Sequence, residues 1–263
     1  MEVKDAQIND ILNQMPPIKL EDMESIRLMN RLDTKFVSTK DKLIKLLDMM
    51  RGEYYVQDIH SVRICPYQNT YFDTEDHIQF IQHHNKHANR TKVRVRTYLV
   101  DGDVTFLEVK NKNNHGRTNK KRMRIDSLNV VRQTEGTSEL VEKRTGIDFS
   151  LMKSVIQNNF DRITLVNLKK TERLTIDFNI QFLNLETQNS ADTDQLVIIE
   201  LKRDRNTFSP VIRMLNQLRI HHTAFSKYCV GMCLTDSKLK QNRFKQQIRK
   251  LNKINASSTT KIE

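Results

Sequence analysis

The segment "RTKVRVRTYL" (90–99) sets Lys92, Arg94, Arg96 and Tyr98 at alternate positions, with Val93, Val95, Thr97 and Leu99 between them. Alternate side chains of a β-strand point to opposite faces, so the spacing predicts a strand with one apolar face and one lined with cations. Such a row can hold a polyanion, or it can simply face water. Other segments repeat the pattern. Arg31, Asp33 and Lys35 alternate with Leu32, Thr34 and Phe36, and Glu108 and Lys110 with Leu107 and Val109. Arg173, Thr175 and Asp177 oppose Leu174, Ile176 and Phe178, while Glu200 and Lys202 oppose Ile199 and Leu201. Lys120, Arg122 and Arg124 share a face.

Strands of this kind need a cover for their apolar faces. Amphipathic segments at 4–14, 20–30, "STKDKLIKLLDMMRG" and "SPVIRMLNQL" can supply it. Ser38 or Thr39 is the N-cap of the third, and Ser209 with Pro210 opens the fourth. Strands are expected over 31–37, within 54–74, and over 91–100, 104–112, 119–126, 162–168, 172–183 and 194–202. Asp101-Gly102 joins two of them in a hairpin. Two short helices are expected within 127–158, and further helices at 75–87, 224–234 and 237–254. The fold class expected is α+β: the pattern favours an antiparallel β-tunnel of about eight strands, closed or nearly closed, with helices packed outside, and leaves an open sheet as the alternative, because alternation does not report closure. Buried like charges are costly when unpaired. A lumen of this kind is tolerable when it is wet, carries some carboxylates and binds a polyanion.

The net charge of +12 points to polyanionic partners. With no Trp and 6% aromatic residues, base stacking has little to work with, and no helix-turn-helix, zinc-finger or RNA-recognition signature is present, so no specific nucleic-acid partner is expected. No apolar run is long enough for a transmembrane helix, and the first residues lack a signal-peptide layout; a cytoplasmic location is expected. Cys65, Cys229 and Cys233 do not form a disulfide framework. Cys229 and Cys233 lie on one helix face and read as small buried side chains.

The motifs "RLDTKFV", "TYFDTED", "KVRVRTY", "FLEVKNK", "NKKRMRI", "RLTIDFNI", "VIIELK" and "FSKYCVG" occur in the order seen in the VTC domain. The chain resembles that polyphosphate polymerase domain of the CYTH/triphosphate tunnel metalloenzyme superfamily over about 25–235. The resemblance implies a tunnel that binds ATP with a divalent cation, Mn²⁺ or Mg²⁺. The γ-phosphate then passes to inorganic polyphosphate. It further implies that Lys35, Arg94, Arg96 and Lys227 act in catalysis, and that Lys110, Lys120, Arg122, Lys169, Arg173, Lys202 and Ser226 bind substrate. Glu200 matches the metal-binding glutamate. The division implied is 1–30 as N-terminal helices on the barrel, 31–236 as the tunnel domain, 237–254 as a basic C-terminal helix and 255–263 as a disordered tail.

Phosphoryl transfer suits such a set, because it needs alignment and charge neutralisation rather than a protein nucleophile. Arginine holds two phosphate oxygens in its planar fork, and lysine acts as a point charge. The family's Tyr-x-Arg pair is expected near 167–169, where Asn167 and Lys169 stand, with Arg173 as the neighbouring source of a cation. A triphosphatase of the same superfamily and a non-catalytic polyphosphate- or nucleotide-binding module remain open alternatives. Glu108 is expected in a cross-strand ion pair, Asp73 as a helix cap and Asp177 as a counter-charge. His83 and His87, four apart, are expected on a wet outer face rather than at a metal.

Overall fold

The computed structural model describes residues 2–24, 31–100, 102–114, 118–204 and 207–256. The chain begins with α1 (Glu2–Asn13), β1 (Pro17–Ile18), α2 (Leu20–Glu24), β2 (Arg31–Thr39), α3 (Lys40–Met50) and β3 (Tyr54–Gln57). Then come β4 (Cys65–Thr74), α4 (Ile78–His84), β5 (Arg90–Tyr98), β6 (Val104–Lys112), β7 (Thr118–Ile125) and α5 (Thr137–Thr145). The long strands β8 (Met152–Asn167) and β9 (Glu172–Asn184) are followed by β10 (Ser190–Thr193), β11 (Leu196–Asp204), α6 (Pro210–Gln217), α7 (Lys227–Thr235) and α8 (Lys245–Ala256).

The main path of the sheet runs β2-β11-β9-β8-β4-β5-β6-β7, with every neighbour antiparallel. The sheet curls without closing: among the described residues β2 and β7 do not pair with each other. We call the enclosed space the trough. A short segment covers the β2 edge, with Phe36 and His222 forming a bridge and Thr223 N donating to the Lys35 carbonyl at 2.9 Å.

The apolar faces lie where the alternation places them. Phe36, Ile163, Leu165, Leu174, Ile176, Ile199 and Leu201 pack under α1, α3 and α6. On the other wall, Val93, Val95, Leu107 and Val109 pack with Val141 of α5 and Phe149. Thr39 caps α3 by accepting from Lys42 N at 3.4 Å. Gly102, at φ +85°, makes the turn between β5 and β6 in a region that L side chains rarely adopt.

Three differences from the sequence reading are informative. Residues 152–158 are strand, because β4 pairs with them residue for residue from Met152 to Arg162 across one bulge, and that ladder outweighs their local pattern. The helix near 75–87 is only Ile78–His84, so Asp73 caps it from five residues before its start rather than from beside it. Its carboxylate reaches Gln79 N and Phe80 N, both at 2.9 Å. Finally, α7 does not pack outside the sheet. Its Tyr228, Val230 and Met232 pack with Val37, Ile180, Phe182 and Ile198, which occupy one end of the sheet's inner face. A Cβ on Gly231 would lie 2.5 Å from Phe182 and 2.7 Å from Ile156, so glycine lets the helix settle on the sheet. Helix α8 continues to Ala256; residues 25–30 of the expected second helix and 257–263 of the expected tail lie outside the described residues.

Candidate functional site

The inner face carries its charges in cross-strand rows. On one wall, Lys92, Lys110 and Lys120 are register partners, and so are Tyr71, Arg94, Glu108 and Arg122. Asn69, Arg96 and Phe106 form the next row. On the other wall, Glu200 lies between Lys35 and Thr175, Lys202 lies between Asp33 and Arg173, and Asp177 faces Arg162. The two walls come near each other across the trough: Lys110 of β6 helps hold the Glu200 carboxyl of β11 down, although five steps of the sheet path separate their strands.

Carboxylates balance only part of this charge. Glu108, fully buried, accepts from Arg94 Nε at 2.8 Å and Nη2 at 2.5 Å, and from Lys120 Nζ at 2.9 Å. Burial pushes its carboxyl upward, but Arg94, Arg96 and Lys120 hold it far below the usual range. Asp177 takes Arg162 at 2.6 and 2.8 Å, and also Lys227. Burial opposes its ionisation, and those two cations overcome it.

Among the described residues Arg96 has no carboxylate within salt-bridge distance. Its Nε donates to Asn69 Oδ1 at 2.7 Å, and its guanidinium lies 5.3 Å from the centre of the Tyr67 ring. Burial, Arg94 and Arg162 all disfavour its charge. Lys110 is lowered well below its ordinary value by Arg94 and by burial. Burial pushes Lys92 down to about 8, with Lys35, Arg90 and Arg94 adding to the effect. In all three the charged form is disfavoured by burial and by neighbouring cations, and a bound anion would favour it again.

The entry of α7 joins the walls. Lys35 Nζ donates to the Phe225 carbonyl at 3.1 Å, Lys92 Nζ to Ser226 Oγ at 2.9 Å, and Lys227 bonds Asp177. Ser226 is also the N-cap, accepting from Cys229 N at 3.3 Å. The positive end of the helix thus meets the cationic trough, an arrangement that suits phosphate oxygens. Lys227 lies 3.4 Å from the Phe160 ring centre, and burial, aided by Arg162, pushes it down to about 7 against the pull of Asp177.

Of the residues expected at the site, Lys35, Arg94, Arg96, Lys110, Lys120, Arg122, Arg173, Glu200, Lys202, Ser226 and Lys227 all lie on the inner face or at the α7 entry. Lys169 does not. It is exposed in the turn after β8, and Asn167 is committed to that turn by accepting from Thr171 N and Glu172 N. An aromatic-x-Arg pair does occur on this strand, but earlier, as Phe160 and Arg162. The sequence reading missed Arg162; the alternation of Phe160, Arg162 and Thr164 with Ile163 and Leu165 was the available signal. Lys92 was seen as a cation but not as the partner of Ser226. The histidines also differ from expectation: His83 is half-buried, stacked on Phe244 at 6.2 Å, and burial with Lys92 and Arg90 pushes it down to about 2, whereas His87 is exposed.

The donors suit a divalent cation that arrives with its substrate. No cluster of three or more His, Cys, Asp or Glu side chains able to hold a metal occurs among the described residues. Glu200 is less tightly paired than Glu108 and Asp177, with Lys202 Nζ 3.5 Å away. A single carboxylate plus phosphate oxygens is an ordinary magnesium-type set.

A curled antiparallel sheet with a cation-lined inner face and a helix entering at one end defines a tunnel-type phosphate-binding fold. The chain belongs to the VTC domain family, whose model matches residues 30–235. No curated protein sequence matched. Among solved structures, a candidate adenylate cyclase of Bacillus halodurans shares the fold at 13% identity and a TM-score of 0.50, over 75% of this chain and 96% of the other. HpAC1 of Hippeastrum, a candidate adenylyl cyclase reported with a dominant triphosphatase activity, aligns at 14% identity and a TM-score of 0.49, over 78% and 97%.

Proposed function

We propose that the protein is an ATP-dependent polyphosphate polymerase. The supporting observation is the convergence of Lys35, Arg94, Arg96, Lys110, Arg162 and Lys227 on one trough whose carboxylates, among the described residues, leave Arg96 and Lys110 without an ionic partner at bonding distance. A phosphate chain is the guest that relieves both desolvation and mutual repulsion there.

In this reading the triphosphate lies against Arg94, Arg96, Lys35 and Lys227, and the acceptor chain lies along the remaining cations. A terminal oxygen of the acceptor attacks the γ-phosphorus. The new P–O bond forms as the bond from the γ-phosphorus to the bridging oxygen breaks, and ADP leaves with that electron pair. The cations align the two chains and neutralise charge as it moves to the leaving oxygen. Glu200 would hold a divalent cation, which supplies further charge neutralisation on the phosphate oxygens. No side chain need act as nucleophile.

Incubating the purified protein with ATP and Mn²⁺, then separating nucleotide, free phosphate and polymer, tests the reading. Polymer with matching ADP is expected. ADP with free phosphate alone would show a hydrolase, and binding without products would show a module.

A further inference from the structure

Outside the trough, the ends of β6 and β7 and the last turn of α5 enclose a groove of about 530 Å³, lined by Asn111, Asn113, Asn119, Lys120, Lys143 and Arg144. Its polar groups are incomplete. Arg144 Nε and Nη2 and Asn111 Oδ1 are buried without a hydrogen-bond partner, while Asn111 Nδ2 covers the Arg144 carbonyl. A buried donor without a hydrogen bond is costly, and among the described residues no carboxylate lines the groove to complete Arg144. Basic residues in a last helical turn commonly serve the helix dipole. That role accounts for Lys143 and Arg144 on α5 but not for buried guanidinium nitrogens beside three asparagines.

Lys120 connects the groove with the trough: its Nζ bonds Glu108 on the inner face, and the residue also lines the groove. It ends the row Lys92–Lys110–Lys120, whose like charges stand directly opposite one another on adjacent strands, an arrangement that repels unless an anion lies on it. At about 4.8 Å per strand the row is about 10 Å long. It leads to β7, the last strand of the sheet path among the described residues.

We infer that this groove is a second phosphate-chain subsite, outside the trough, which holds a polyphosphate where it passes over the β7 edge. The inference rests on the proposed polyphosphate reading and adds a place that a triphosphate does not reach.

The test uses the whole chain, with Arg144→Gln and, as a variant at an exposed position that leaves folding undisturbed, Lys143→Glu. The probes are sodium tripolyphosphate and long-chain polyphosphate. Tripolyphosphate affinity should stay within about twofold in both variants, while long-chain affinity falls by about fivefold or more, as expected for a lost charge-assisted contact. Unchanged long-chain affinity in both variants overturns the groove. Arg96→Met serves as the control inside the trough. If it loses tripolyphosphate while the groove variants bind normally, the groove alone fails. If it binds tripolyphosphate as the wild type does, the trough reading fails and takes the inference with it.

Discussion

Arg96 is buried against an amide and a tyrosine ring, with two other arginines disfavouring its charge. Such a side chain costs the empty protein stability and repays it only on binding. Arg96→Met should therefore leave thermal stability unchanged or slightly raised, within about 1 kcal/mol, while lowering triphosphate affinity by about tenfold or more. Calorimetric titration beside a melting curve reads both. Arg94 is a poorer probe, because its removal takes from the buried Glu108 the partner that donates two hydrogen bonds to it and leaves that carboxylate with Lys120, which lowers stability together with affinity.

Lys227 makes a pH prediction. It is lowered from 10.5 to about 7, with Arg162 and Arg96 pushing in the same direction as burial and Asp177 opposing them. Between those values the unfolded chain holds a proton that the folded chain does not, so raising the pH stabilises the free protein in this window. Phosphate oxygens favour the ammonium form, so binding takes up a proton. Triphosphate affinity should fall from about pH 7.5 to about pH 9, by at most about tenfold per unit for this one group. Lys227→Arg should flatten the profile; an equally steep profile in that variant would assign the slope elsewhere.

At the scale of elements, the strand alternation was legible because its period of two is strict. Charged and apolar faces of β2, β5, β6, β9 and β11 fall where the residues predict. Helix α7 was not legible in the same way. "KYCVGMCLT" is apolar on most sides, so its pattern cannot distinguish a helix over the sheet from one entering it. The signal lay in Gly231, whose value depends on Phe182 and Ile156, far away in sequence. Gly231→Ala should overpack this contact and cost about 1–3 kcal/mol, lowering the melting temperature by several degrees. Because α7 carries Ser226 and Lys227, triphosphate affinity should fall as well. A destabilised variant with unaltered affinity would mean that the helix position does not matter to the site.

For the whole molecule, the sequence revealed an excess of positive charge and alternating faces but not whether the sheet closes. Closure is a relation between β2 and β7, distant in the chain, and alternation is blind to it. The candidate site was legible on β2, β5, β6, β7 and β11; Arg162 on β8 was missed although the alternation was there, and the site was misread at the β8–β9 turn, where Asn167 is absorbed by local hydrogen bonds. Glu200, the carboxylate proposed to hold a metal, makes a further prediction at this scale. Glu200→Gln should leave triphosphate binding without metal within about threefold but weaken the Mn²⁺ dependence of turnover by about tenfold or more. An unchanged Mn²⁺ titration would return Glu200 to a partner of Lys202.

The most direct measurement is a crystal structure of the chain with a polyphosphate bound. Phosphate density should run between the walls, with oxygens at about 2.7–3.1 Å from Arg94, Arg96 and Lys227. Density confined to the outer surface, with the inner arginines still paired only as in the free protein, would contradict the account.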